Sequence, residues 1–138
     1  PICYNVVIHE FAHKLDMRSV PADGVPPLPP GIARRDWEAT LLAAYDDFCA
    51  RVDAAEETAV RQGEQAFDAC VDTVIEANGL DPYGAESPGE FFAVMSETFF
   101  EDPHTLRAAY PALYALMTRF YRQDPAARLD AAPAPAAG

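Results

Sequence analysis

Cysteine, basic side chains and long apolar runs are all scarce in this chain. Its three cysteines, Cys3, Cys49 and Cys70, are odd in number and far apart, which argues against a disulfide framework and against a C-x-x-C metal or redox pair. Cys49 and Cys70 then read as small core residues, and a reducing compartment fits best. Lysine and arginine number 10 against 22 aspartates and glutamates, for a formal net charge of −12. A surface of that sign repels phosphate backbones, so nucleic acid is not an expected direct partner. No apolar run approaches the roughly 18–20 residues of a membrane span, and the start lacks the basic-then-apolar pattern of a signal segment. The expectation is a soluble, cytoplasmic protein without a membrane partner, and its 138 residues suit one domain with a modest core.

What is present is a motif. The run Asn5 to Asp16 contains His9-Glu10-Phe11-Ala12-His13, an H-E-x-x-H pattern. In a helix, side chains four apart share a face, so the two imidazoles lie close enough to hold one metal ion, with Glu10 near that face. This is the arrangement of zinc peptidases. Two neutral imidazoles bind Zn²⁺, a third ligand comes from elsewhere, an open fourth position keeps a water, and the glutamate takes that water's proton. Asn5 is the expected N-cap of this helix, which should end near Met17. Val7, Phe11 and Leu15, or Ile8, Ala12 and Leu15, are expected to face the core, leaving the metal ligands on the opposite side.

Ser19 to Gly31 holds five prolines and two glycines in 13 residues. Missing donors and fixed φ make it a semi-rigid loop with a turn at Asp23-Gly24. A second helix is predicted from about Asp36 on the stripe Trp37, Leu41, Tyr45, Phe48 and Val52. A break is expected over the charged residues Asp53 to Gln62, then a third helix over Glu64 to Ala77 closed by Asn78-Gly79. Ser87-Pro88 has the form of an N-cap and first helical position, opening a fourth helix so apolar that it should be largely buried. Two short helices follow, starting after Asp102 and at Pro111. Residues 125–138, rich in alanine and proline, are expected to be disordered.

A third metal ligand has several candidates. His104 lies among polar turn residues and reads as solvent-facing. Glu90 and Glu97 fall on nearly the same face of the fourth helix, where a buried carboxylate is costly unless a metal or hydrogen bonds compensate it. Ser87-x-x-Glu90 is also a capping box, which would occupy Glu90 without any metal. Glu97 has two other readings: a carboxylate orienting a ligand imidazole, or a solvated residue. Asp16 divides similarly between support for the ligands and an exposed helix end.

The blocks His9 to Asp16 and Asp81-Pro-Tyr-Gly-Ala-Glu-Ser-Pro-Gly-Glu-Phe-Phe-Ala-Val-Met-Ser-Glu-Thr-Phe-Phe100, continuing through Tyr110 to Tyr114 and Phe120 to Pro125, resemble the Mlc titration factor A family of zinc peptidases. More distantly they are similar to the protease domain of anthrax lethal factor. The resemblance implies one Zn²⁺ held by His9, His13 and Glu90, with Glu10 as general base and Tyr83 as electrophile or proton donor beside the scissile carbonyl. It implies a mainly α fold: a zincin-like (gluzincin) helical active-site subdomain over residues 1–124, truncated on its N-terminal side, with the upstream β-sheet largely absent. The implied activity is peptide hydrolysis on a peptide or protein substrate, in an aminopeptidase-like manner. The alternative it carries is a zinc-stabilised regulatory module that sequesters a transcriptional repressor, Mlc, with little or no peptidase activity.

Overall fold

The computed structural model describes residues 5–18, 23–63 and 79–133. Among them are six α-helices and no strand: α1 (Val6–Asp16), α2 (Arg34–Arg61), α3 (Pro88–Glu101), α4 (Pro103–Ala109), α5 (Pro111–Tyr121) and α6 (Pro125–Ala131), with a 3₁₀ turn at Pro82–Ala85 before α3. The mainly α expectation holds. No helix among the described residues is long and apolar enough to cross a membrane.

Proline sets the rhythm of the second half. Helices α3 to α6 each open on a proline at the first position, where a missing N–H costs nothing and a fixed φ already suits the helix. The residue before a proline is pushed out of the helical region. Asp102, Tyr110 and Asp124 accordingly lie outside the helical region, at φ/ψ of −142°/64°, −136°/73° and −128°/82°. Three such corners divide the stretch from Pro88 to Ala131 into four short rods folded back on one another.

Helix α3 is the hub, packed against α1, α2, α4, α5 and the 3₁₀ turn. Phe91 to Glu97 and Phe99 are all buried along it, as its apolar composition requires. Trp37 of α2 meets Phe92 edge-on, with ring centroids 5.9 Å apart, and Phe48 packs on Phe91 at 5.6 Å. On α5, Leu113, Tyr114 and Met117 are buried, as is Tyr110 just before it, while Phe120 and Tyr121 are half-buried.

Three expectations are corrected and one open alternative, at Asp16, is decided. Of the two faces expected inward on α1, Val7 and Phe11 of the first are 73% and 59% exposed, while Ala12 of the second is buried and Ile8 and Leu15 are half-buried; His9 and Asp16 turn inward with Ala12, so the histidines are not set opposite the core. The surface of α3 beneath α1 carries the carboxylates of Glu90 and Glu97, so the polar side of α1 finds partners there. Helix α2 runs unbroken through Asp53 to Arg61 because Ala55 and Ala59, small and weakly hydrophobic, are its buried positions. Asp16 is fully buried and does not lie on an exposed helix end. Pro125–Ala131 form a helix where disorder was expected: Tyr114 donates its hydroxyl hydrogen to Asp124 Oδ1 at 2.6 Å and accepts from the Ala126 N–H at 3.0 Å. The helix expected over Glu64 to Ala77, with Cys70, lies outside the described residues, as does Cys3. Cys49 is half-buried.

One loop residue gathers three helices. The Gly24 N–H donates to both oxygens of Asp16, at 3.0 and 2.9 Å, and its carbonyl accepts from Trp37 Nε1 at 2.8 Å. Burial pushes the Asp16 carboxyl above the usual aspartate range, while the Gly24 N–H pulls the other way. With φ at +84°, the residue occupies a region that disfavours any side chain. A Cβ on it would stand 2.6 Å from Leu41 Cδ2 and 2.7 Å from the Pro88 carbonyl oxygen. Gly31 also has positive φ, +98°, but a Cβ there meets nothing within 4 Å. Gly31→Ala is therefore expected to cost only left-handed backbone strain, about 1–2 kcal/mol. Gly24→Ala adds overpacking against backbone, for a total of about 2–5 kcal/mol. Urea denaturation of the two variants checks the ordering.

Candidate metal centre

Helix α1 begins because Asn5 caps it, its Oδ1 accepting from the N–H groups of Val7 and Ile8, both at 3.2 Å. His9 and His13 follow one turn apart, with ring centroids 4.8 Å apart and planes at 72°. From the first turn of α3, 77 positions beyond His13, Glu90 reaches the same point. Its Oε2 lies 3.2 Å from His9 Nε2 and 3.1 Å from His13 Nε2, and the two Nε2 atoms are 3.1 Å apart. His9 is buried at 6% side-chain exposure, whereas His13 and Glu90 are each 22% exposed, so the cluster opens to solvent on their side.

The capping box and the cluster use different parts of Glu90. Its backbone N–H donates to Ser87 Oγ at 3.2 Å, while its carboxylate meets the histidines. On the other side of His9, Nδ1 lies 3.3 Å from Glu97 Oε2. Glu97 Oε1 accepts the Asn5 N–H at 2.6 Å, and one turn on, Glu101 Oε1 accepts from Asn5 Nδ2 at 2.6 Å. Burial raises the Glu97 carboxyl above the ordinary glutamate range, opposed by its bonds to Asn5 and His9. The bonds from Asn5 to α3 span 92 and 96 positions. Sequence reading missed them because only the local capping role of Asn5 has a sequence signature.

Glu10 lies between the histidines in sequence and is exposed. Tyr83 sits on the 3₁₀ turn, held by its N–H to Asp81 Oδ1 at 2.9 Å. It is 51% exposed, with its ring centroid 6.4 Å from that of His9. His104 is elsewhere, 2.6 Å from Asp130 Oδ1 on the surface.

His9, His13 and Glu90 form the group that could hold a metal ion, with donor atoms all within 4.8 Å of one another. The chemistry of the donors fits one. A carboxylate oxygen and imidazole lone pairs repel at about 3 Å unless a proton or cation lies among them, and this spacing suits bonds of about 2.0–2.2 Å meeting at one ion.

A family model for the glucose-regulated metallo-peptidase M90 matches residues 2–122 of the chain. The chain belongs to the M90 family. Its M90 sequence is 44% identical over 128 residues to Mlc titration factor A of Edwardsiella ictaluri (strain 93-146), covering 91% of this chain and 41% of that protein. Mlc titration factor A of Yersinia pestis (strain Pestoides F) is 42% identical over 130 residues, covering 91% of this chain and 40% of the relative. The same figures hold for Mlc titration factor A of Yersinia pseudotuberculosis (serotype O:1b, strain IP 31758). The chain therefore spans about two fifths of the length of these relatives. Metallo-peptidase M90 membership implies a metal, and the donor set of His9, His13 and Glu90 is compatible with it.

The division of labour within Glu90 can be tested in this M90 chain. Ser87→Ala is expected to cost about 1 kcal/mol of stability through loss of the cap, with metal uptake unchanged. Glu90→Ala is expected to lower metal affinity. Urea denaturation and chelator competition on both variants separate the two effects.

Proposed function

We propose that the chain is the active-site portion of a zinc metallopeptidase of zincin-like (gluzincin) type, with His9, His13 and Glu90 as ligands to one Zn²⁺. The observation that carries this is the meeting of two imidazole Nε2 atoms and one carboxylate oxygen at 3.1–3.2 Å from two helices remote in sequence. M90 membership supports it. A zinc ion held there supplies Lewis acidity, which makes water a competent nucleophile near neutral pH and polarises an amide carbonyl.

The chain's own groups do the rest. The buried face of His9 against Glu97 fixes one side of the site, and the partly exposed His13 and Glu90 leave the other open to a peptide or protein substrate. Glu10, exposed beside the histidines, takes the proton of the attacking water on a carboxylate oxygen and delivers it to the leaving amine. Tyr83, with its ring beside that of His9, donates its phenolic hydrogen to the carbonyl oxygen as negative charge develops there. An aminopeptidase-like action in the cytoplasm accords with this chemistry and with the lack of disulfide patterning.

A second reading has its own support in the name that the relatives carry, Mlc titration factor A. In it the chain is a regulatory module, stabilised by zinc, that binds a transcriptional repressor and cleaves little or nothing. Zinc content and hydrolysis of short fluorogenic or chromogenic peptides decide between the two.

The wild-type chain is expected to take up one zinc per molecule by elemental analysis. Glu10→Gln should keep that zinc and lose peptide cleavage, and undiminished cleavage in the zinc-loaded variant would remove Glu10 from the mechanism. Tyr83→Phe, equally loaded, should turn over about 10²–10³-fold more slowly, measured as kcat on the same peptides.

A further inference from the structure

We infer that the outward face of α1 docks against the same face of a second copy of this chain, the two helices running antiparallel, and that this pairing occupies Glu10. The docking itself is independent of any metal, and its consequence for catalysis rests on the metallopeptidase reading above.

Because α1 meets the core through His9, Ala12 and Asp16, its larger apolar side chains are turned outward. Of the eight large hydrophobic residues exposed among the described residues, four lie on this one short helix or at its end: Val6, Val7, Phe11 and Met17. The other four are spread over α2, the 3₁₀ turn and α6. Scattered exposed apolar residues are ordinary, whereas a cluster of them marks a contact surface. Beside Phe11 the cluster runs into a groove of about 410 Å³ lined by Val7, Ile8, Phe11, Phe100, Tyr121 and Gln123.

Charge selects the occupant. A chain of net charge −12 repels its own copy over most of its surface. The outward face of α1 is an exception, because exposed Glu10 stands one turn from exposed Lys14, the only lysine in the sequence. A carboxylate and an ammonium four positions apart make a helix face self-complementary in one direction only. Antiparallel approach sets each Lys14 opposite Glu10 of the other copy, whereas parallel approach sets like charges together. Antiparallel packing centred near Phe11 also brings the two Phe11 rings together and puts the two grooves on the same side. Every contact is then made twice, as a two-fold interface requires. With both Glu10 carboxylates held in ion pairs, neither takes a proton from water, so the dimer is the resting form and the monomer the active one.

A face one short helix long makes a small interface, so sedimentation velocity from about 5 µM to 1 mM is expected to show a reversible dimer with Kd on the order of 100 µM. Phe11→Asp, at an exposed position, should leave the fold intact and the chain monomeric throughout that range. Lys14→Glu should weaken the dimer about tenfold or more, and adding Glu10→Lys to it should restore the dimer, because the swap re-forms both pairs. On short peptides, turnover per zinc-loaded wild-type chain should fall as the dimer forms and stay constant in Phe11→Asp. A wild-type chain that remains monomeric over the whole range overturns the inference and gives the face to another polypeptide, such as the length of the relatives that this chain does not span. A dimer that survives Phe11→Asp overturns it as well, and one that the double swap fails to restore refutes the antiparallel pairing. Constant turnover across a demonstrated dimer transition refutes the resting form. Dimerisation without peptide cleavage at any concentration refutes the metallopeptidase reading and leaves the docking standing.

Discussion

The structure depends on a helix docked by its polar side. Helix α1 presents His9 and Asp16 inward and leaves Val7 and Phe11 in solvent, an inversion of ordinary amphipathic packing. Buried polar groups are tolerable only when each finds a partner. Here Glu97, Glu90 and the Gly24 N–H supply those partners, and among the described residues no buried side-chain nitrogen or oxygen lacks one. The seam between α1 and α3 is thus held together by directional bonds, and those same bonds aim the imidazoles.

Around that seam the remainder of the fold is conventional burial. Aromatic rings from α2 and α5 pack on those of α3, with Trp37, Phe92 and Phe120 in mutual contact. The proline corners keep the later helices short enough to close over it. The apolar core packs α3 on its other sides, and from that packed helix two carboxylates two turns apart enter a polar seam.

Much of this was legible where cause and effect are close in sequence. H-E-x-x-H reads as a shared helix face because four residues make one turn, and Ser87-Pro88 reads as a helix start because cap and capped amide are three residues apart. Glu90 was ambiguous because its backbone and side chain serve different partners, one three residues away and the other 77. Hydrophobic patterning left two faces of α1 open and set the histidines opposite either one, because it assumes an apolar interior, whereas His9 turns inward beside Ala12 to meet carboxylates on α3. The continuation of α2 was hidden for a related reason: alanine buries well against a close neighbour yet contributes little to an apolar stripe. Nor does an alanine-rich tail announce that Tyr114 will anchor Asp124 and Ala126.

Gly24 gives this arrangement a dynamic consequence. Its N–H, its carbonyl and its bare Cα each answer to a different helix: Asp16 of α1, Trp37 of α2 and the Pro88 carbonyl of α3. A loop anchored at one point frays alone, but one anchored to three helices opens only when several of them loosen together. Segments joined in this way exchange their amide hydrogens as one cooperative unit. The far end of the histidine helix is therefore tied, through a single glycine, to the two helices that carry most of the aromatic core.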